Sequence, residues 1–400
     1  MPEWRTVTVE EIAAPGKNSL ATGPFGSAIS ARFFVGSGIP VIRGSNLSLD
    51  VGNRLTEADL AFIPDELAAK FGRSCARAGD LVFTCWGTVG QVGLIDSRAS
   101  YDEYIVSNKQ MKLTPDTKLT SPLFLYYVFS NPQFVKYLQS IAIGSSVPGF
   151  NLGQLRKVAF MLPPLVEQQA IAAVLGALDD KIVVNDRSAS TAHALAQALS
   201  SSAHKAAKLT KLSEIANITM GSSPPGESYN EDGIGMPFYQ GTRDFGDRFP
   251  RLRVWCSSPV RAASEGSCLI SVRAPVGRVN FAREPCCIGR GLAAVQSKLE
   301  TPSVLFHELA ATSDVWAPFE SEGTVFGAIN KQELANIEIP ALDTDSARAL
   351  ENILMPLDHL VASASDENHA LEELRDTILP KLVSGEIRVR DAERAVEDVT

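Results

Sequence analysis

The sequence predicts an α+β protein: two tandem mixed α/β modules separated by two long helices that pack as an antiparallel coiled coil. Three observations lead there. The first is an internal repeat, in which Asn151-Leu152-Gly153-Gln154-Leu155 answers to Asn330-Lys331-Gln332-Glu333-Leu334 and Leu178-Asp179 to Leu357-Asp358, both at an offset of about 179 residues. Upstream, Gly79-Asp80-Leu81-Val82-Phe83 and Gly87-Thr88-Val89-Gly90 answer to Gly266-Ser267-Cys268-Leu269-Ile270 and Ala274-Pro275-Val276-Gly277, at an offset of roughly 187. A shared skeleton with drifting offsets describes two copies of one module, each with its own surface. The second observation is a heptad pattern after each copy, and the third is the strand-rich texture of the copies themselves.

Residues 1–163 form the first module. Short β-rich runs such as Ile39-Pro40-Val41-Ile42-Arg43 and Asp80-Leu81-Val82-Phe83-Thr84 alternate with Gly, Pro and Asn. One helix is expected from Ser121 to Ile141, opened by Ser121-Pro122, and Gly144 to Asn151 makes a tight loop into a helical turn. Residues 164–208 then change character, with no Pro after Pro164 and a single Gly. Ile171, Leu175, Leu178, Ile182, Asn185, Ala189, Ala192, Ala196 and Leu199 alternate by four and three, a seam of about four heptads on a rod of roughly 60 Å. The second module occupies 209–340. A second seam follows in 341–382, through Leu350, Leu354, Leu357, Val361, Ala364, Asn368 and Leu371, with a slip to Leu374 and Ile378. Pro356 should kink its first turns, and 383–400 is a tail. Two such seams in one chain are satisfied by packing on each other, with Asn185 and Asn368 fixing register.

Bulk composition sets the class. A chain of 400 residues with 45% hydrophobic and 21% charged residues is an ordinary globular protein of two large domains. The start shows no signal-peptide pattern and no segment reaches membrane-spanning length, so a cytoplasmic protein without a membrane is expected. The six cysteines have neither CxxC spacing nor matching histidines, which argues against a metal site or disulfide frame. The adjacent Cys286-Cys287 read as buried strand residues. The net charge of −9 is unevenly spread: +2 over 1–163, −3 over 209–340 and −8 over 341–400. Between Gly241 and Arg290 lie nine arginines, no lysine and four acids. Such a local field suits phosphate contact, and a scattered solvated surface is its plainer explanation.

No catalytic constellation emerges. Asn131-Pro132-Gln133-Phe134 resembles the Asn-Pro-Pro-Phe loop of amino-methyltransferases but fails at its third position and lacks an upstream glycine-rich cofactor loop. Gly87-Thr88-Val89-Gly90-Gln91-Val92-Gly93 matches neither a dinucleotide nor a phosphate-loop pattern. His193, His204, His359 and His369 fall on the spacer helices as solvated residues, and His307 sits near a helix of module two.

In order along the chain, Gly23-Pro24-Phe25-Gly26-Ser27, Ile39 to Gly44, Gly79 to Phe83 and Gly144 to Leu155 lead to Leu162-Pro163-Pro164-Leu165-Val166-Glu167-Gln168-Gln169-Ala170-Ile171. The series ends at Leu379-Pro380-Lys381-Leu382-Val383-Ser384-Gly385-Glu386-Ile387. Duplicated around two helices, this series resembles the specificity subunits of type I restriction–modification systems over nearly the whole chain. Module two departs from the pattern at Gly221 to Gly226, at Ala341-Leu342-Asp343 and at Asp345-Ser346-Ala347, where the Glu-Gln-Gln triplet is missing. The resemblance implies two target-recognition domains, each reading half of an asymmetric bipartite site in double-stranded DNA, with the helices setting the gap. It also implies assembly with two modification subunits, which bind S-adenosylmethionine and methylate adenine N6, and with restriction subunits that use ATP and Mg to translocate and cleave DNA. The chain itself would hold no cofactor and no metal and would not be an enzyme.

DNA-reading residues then come from loops on one face of each module, where Arg, Asn and Gln reach base edges and hydroxyls meet phosphates. Module one offers Arg43, Asn46, Thr84, Trp86, Lys109, Ser145 and Ser146; module two offers Gln240, Arg243, Arg273, Arg278, Arg290 and Thr324. Trp86 in a β-rich run suits a core position as well as base stacking, and Lys109 suits a plain surface charge. Arg273 and Arg278 bracket a tight turn that would present both guanidiniums together. The exposed helix faces are candidates for partner docking. Two other readings remain: the specificity subunit of a system with fused methylase and nuclease, and a coiled-coil scaffold that does not touch DNA.

Overall fold

The computed structural model describes residues 4–144, 148–205, 207–319 and 327–397. It divides into two compact bodies, one made of Met1–Val183 with Glu367–Thr400, the other of Val184–Asp366.

In the first body, Arg5–Thr8 pairs antiparallel with Ala159–Leu162. A four-stranded antiparallel sheet runs in the order Leu20–Thr22, Gln110–Leu113, Leu81–Thr84, Val92–Leu94. A second sheet, in the order Ala61–Ile63, Ile39–Ile42, Glu103–Val106, Cys75–Arg77, carries a parallel pair at its centre, with Ile42 opposite Val106. The second body repeats this plan. Lys208–Lys211 pairs with Glu338–Ala341, and a four-stranded sheet orders Ala216–Met220, Leu292–Ser297, Cys268–Ser271, Val279–Phe281. A five-stranded sheet again contains a parallel pair, Met236–Tyr239 beside Cys286–Ile288. The sequence repeat is therefore a repeat of strand order, and the short helices that close each copy, Leu152–Lys157 and Lys331–Asn336, both begin in capping boxes, at Asn151/Gln154 and Asn330/Glu333.

The core of the first body gathers Leu81, Phe83, Met111, Leu113, Phe124 and Phe129, all fully buried, each worth about 1.5–3 kcal/mol of transfer free energy. Two long helices, Leu165–His204 and Thr344–Ser384, are here called central and distal. Each contributes one part to each body, because the body boundaries fall within them. In the first body Ile171, Leu175, Leu178 and Ile182 join a cluster with Leu371, Ile378, Leu379 and Leu382. In the second, Ala196 and Leu199 pack with Leu350, Leu354 and Leu357. The segments run antiparallel: Asp179 meets Arg375, whereas Lys181, further along, meets Glu367, earlier in the distal helix. Asn185 is buried on the central helix, and Val361 and Asn368 are half-buried on the distal one.

Two expectations need correction. The single helix over 121–141 is two, Pro122–Ser130 and Pro132–Ile141, because Pro132 has no N–H to continue the first and Asn131 caps the second by accepting from Gln133 N at 2.9 Å. The distal helix spans Thr344–Ser384 with Pro356 inside it. Finally, His193 and His204 are not solvated: they are half-buried against Arg248 and Glu308, while His359 and His369 are exposed.

Candidate nucleic-acid interface

The parallel strand pair of each body ends in a loop cluster, and the hairpin of the adjacent sheet points its turn at the same place. In the first body Ser107 N donates to the Ile42 carbonyl at 2.9 Å, which brings Arg43 and the Ser107–Lys109 turn together. In the second, Gly289 N donates to the Tyr239 carbonyl at 2.8 Å and does the same for Gln240 and Arg290. The hairpins correspond as well: Thr84 N donates to the Gln91 carbonyl at 3.0 Å and Ser271 N to the Arg278 carbonyl at 2.9 Å. Isolated bridges pair Trp86 with Gly149 and Arg273 with Ala328. These contacts make Arg43, Trp86, Gln91 and Asn108 the positional counterparts of Gln240, Arg273, Arg278 and Arg290.

In the first body these loops enclose a cleft of about 440 Å³, lined among others by Arg43, Thr84, Trp86, Gln91, Asn108 and Lys109. Arg43 is half-buried there; Nη2 donates to the Asp59 carbonyl at 2.7 Å and the guanidinium lies 5.7 Å from the Phe34 ring centroid. The Trp86 indole is 47% exposed and backs onto Gly149, where a Cβ would come within 2.4 Å of the ring. Lys109 is exposed, and its carbonyl anchors Cys85 N at 2.8 Å. An exposed indole beside two cations can stack on a base and neutralise phosphate.

Two sequence-based candidates take other tasks. Asn46 is fully buried: it accepts from Arg43 N at 3.0 Å and donates to the carbonyls of Thr56 and Ala58 at 3.0 and 3.3 Å. Its oxygen and both its amide hydrogens bond the backbone of the loop that holds Arg43. Asp244 closes the matching loop in the second body by accepting from Gln240 N at 2.6 Å. Thr84 is also buried, and its hydroxyl donates to Gln91 Oε1 at 3.0 Å, which orients Gln91 at the cleft wall. Gln91 donates in turn to the Leu47 carbonyl at 2.7 Å. Ser145, Ser146 and Thr324 lie outside the described residues.

Gln240, Arg243, Arg273, Arg278 and Arg290 are all exposed. Gly291 packs on the Gln240 backbone, which holds Arg290 beside Gln240. The turn between Arg273 and Arg278 is tight because Gly277, at φ +81°, backs onto Trp316, leaving 2.1 Å for any Cβ. Not all nine arginines are available: Arg248 is buried against Asp358, Arg253 pairs with Asp244 and Arg283 with Asp366. Gln91 and Asn108, which also line the cleft, were not among the candidates drawn from the sequence. Aligning the two copies on their hairpins and on their parallel strand pairs places Gln91 opposite Arg278 and Asn108 opposite Arg290.

The six cysteines are free and buried; burial pushes the Cys85 thiol up to about 11 and the Cys286 thiol up to about 12, far from a nucleophile's range. Among the described residues no cluster of His, Cys, Asp and Glu could hold a metal, and no helix is long and apolar enough to cross a membrane.

Residues 65–189 match the family model of the type I restriction modification DNA specificity domain. A chain of Methanocaldococcus jannaschii with the provisional name type I restriction enzyme MjaX specificity subunit is 27% identical over 380 residues, covering 88% of each protein. The HindI specificity subunit of Haemophilus influenzae is 30% identical over 100 residues, 24% of this chain and 22% of that one. In fold, the chain is similar to the crystal structure of the type I restriction–modification system S subunit from M. genitalium, with a TM-score of 0.70 at 16% identity over 95% of this chain and 96% of that one. The family model over 65–189, the relatives along the chain and the shared fold agree: in sequence and in fold this chain is similar to the specificity subunits of type I restriction–modification systems.

Proposed function

We propose that the chain reads a bipartite, asymmetric site in double-stranded DNA, one half per body, and that the two helices set the gap between the halves. The observation that carries this reading is the duplicated loop skeleton with unlike side chains. Where one copy presents Arg43, Trp86, Gln91 and Asn108, the other presents Gln240, Arg273, Arg278 and Arg290. One skeleton fixes how a groove is approached, and different donors and acceptors upon it select different bases. In this reading 1–163 and 209–340 are the recognition modules, 164–208 and 341–382 the spacers, and 383–400 a tail. The chain acts in the cytoplasm with two modification subunits, which supply S-adenosylmethionine chemistry at adenine N6. Restriction subunits supply ATP- and Mg-dependent translocation and cleavage.

Long-read methylome sequencing of a methylation-free host co-expressing this chain and its modification subunit tests the proposal. A single bipartite motif with N6-methyladenine in both halves is expected. A soluble complex that leaves the genome unmethylated would overturn it in favour of a scaffold.

A further inference from the structure

The pair Leu178-Asp179 and Leu357-Asp358 is part of the sequence repeat, yet neither aspartate lies near the loops that face DNA in the proposed reading. Both are buried in ion pairs with an arginine of the module in their own body. Asp179 on the central helix accepts from Arg54 at 3.0 Å; Asp358 on the distal helix accepts from Arg248. The two arginines occupy equivalent places, since the Arg54 carbonyl accepts from Leu94 N at 3.0 Å and the Arg248 carbonyl from Phe281 N at 2.9 Å, each on the second strand of the reading hairpin. A ring completes each cluster from the fifth position after the opening proline of a module helix: Tyr127 donates to Asp179 at 2.5 Å, and His307 Nε2 lies 3.3 Å from Asp358. The other long helix joins in both bodies. Arg375 of the distal helix reaches Asp179 at 3.2 Å, and His193 of the central helix lies 3.3 Å from Arg248.

We propose that Arg54–Asp179 and Arg248–Asp358 are duplicated positioning clamps that fix the angle between each module's reading loops and the helices, and thereby the gap length the complex accepts. Each arginine sits on the return arm of the loop closed by Asn46 or Asp244, holds the hairpin through its carbonyl and holds the helix through its guanidinium. Thr56 N donates to the Asn46 carbonyl at 3.0 Å and Arg251 N to the Asp244 carbonyl at 2.7 Å, so the arm is also tied just after its arginine. An apolar contact here would hold the surfaces together equally well but would let them slide. A buried charge pair resists rotation because its partner must stay in line to offset desolvation. These are positioning residues, not reading ones.

The inference rests on the proposed reading that the helices set the gap. Its test uses the complex with the modification subunit on plasmids carrying the native site, sites with the gap changed by one base pair, and sites with single-base changes in either half. Arg54→Lys and Arg248→Lys keep the charge and lose the planar fork. The expected result is that each lowers the preference for the native gap about tenfold, roughly the weight of one good contact, and leaves preference at every base unchanged. Unchanged gap preference in an assembled variant overturns the inference. So does lost preference at the bases of one half, which would make the arginine a reader. If a lysine variant fails to assemble, Tyr127→Phe, which keeps every charge, takes its place under the same two outcomes. Absence of any bipartite motif with the unaltered chain would instead sink the proposed function itself.

Discussion

Asn46 and Asp244 show how far a side chain's identity goes in predicting its task. Polar residues in glycine-flanked turns suit base reading, but these two are buried and bond the backbone of the loop that carries Arg43 or Gln240. Sequence cannot separate the two roles, because both need a short polar group at a turn. The exposed arginines are the cleaner candidates. Arg278→Ala or Arg290→Ala should cost about 1–3 kcal/mol of binding if the side chain bonds a guanine edge, and should relax one base position. Uniform weakening across a panel of single-base variants would assign the residue to phosphate instead. Asp358 makes a second residue-scale prediction. Its burial alone would raise the carboxyl, but the His307 contact and the Arg248 charge outweigh it and hold the group below the usual range. A depressed folded value gives stability that is present above the ordinary aspartate value near ~3.9 and is lost as pH falls through the folded one. The stability difference between the unaltered chain and Asp358→Asn should therefore be largest near neutral pH and shrink in acid. A difference independent of pH in denaturant titrations would show that Asp358 is not the linked group.

At the level of elements, the long helices were the most legible part. A 3.5-residue period sustained over about four heptads has few competing explanations, and Ile171, Leu175, Leu178 and Ile182 are indeed buried. The modules were legible as repeats but not as sheets, since strands of three or four residues carry too little periodicity to fix pairing or register. The break at Asn131-Pro132 was written in the sequence, and was hidden by the apolar run on either side. One long-range cap had no local signal at all. Glu351 of the distal helix accepts from Ser303 N at 3.1 Å and Val304 N at 2.9 Å, capping Pro302–Ala311, whose own N-cap Thr301 turns its hydroxyl to Ser297 and makes no capping bond. Glu351→Ala leaves those two buried donors open and should cost about 1–3 kcal/mol or more. Unfolding curves that superimpose on the unaltered chain's would show that water takes the place of the carboxylate.

At the level of the whole molecule, duplication with divergence is what the proposed asymmetric reading requires of a single chain. The cleft-facing loop side chains differ between the copies, while the buried pairs Arg54 and Arg248, and Asp179 and Asp358, match. Replacing the reading loops of one copy should therefore change one half of the recognised site and leave the other half and the gap unaltered, as methylome sequencing of the exchanged chain would report. Changes in both halves at once would mean that the copies do not read independently.

The division of the chain also bears on its synthesis. The second body is one continuous stretch, whereas the first needs Leu371, Ile378, Leu379 and Leu382 to close its core. A ribosome adding roughly 5–20 residues per second delivers those side chains on the order of 10–40 s after the first body's opening segment has emerged. The module that is translated first is thus completed last, and until then its apolar seam is open to chaperones or to the same segment of a neighbouring nascent chain.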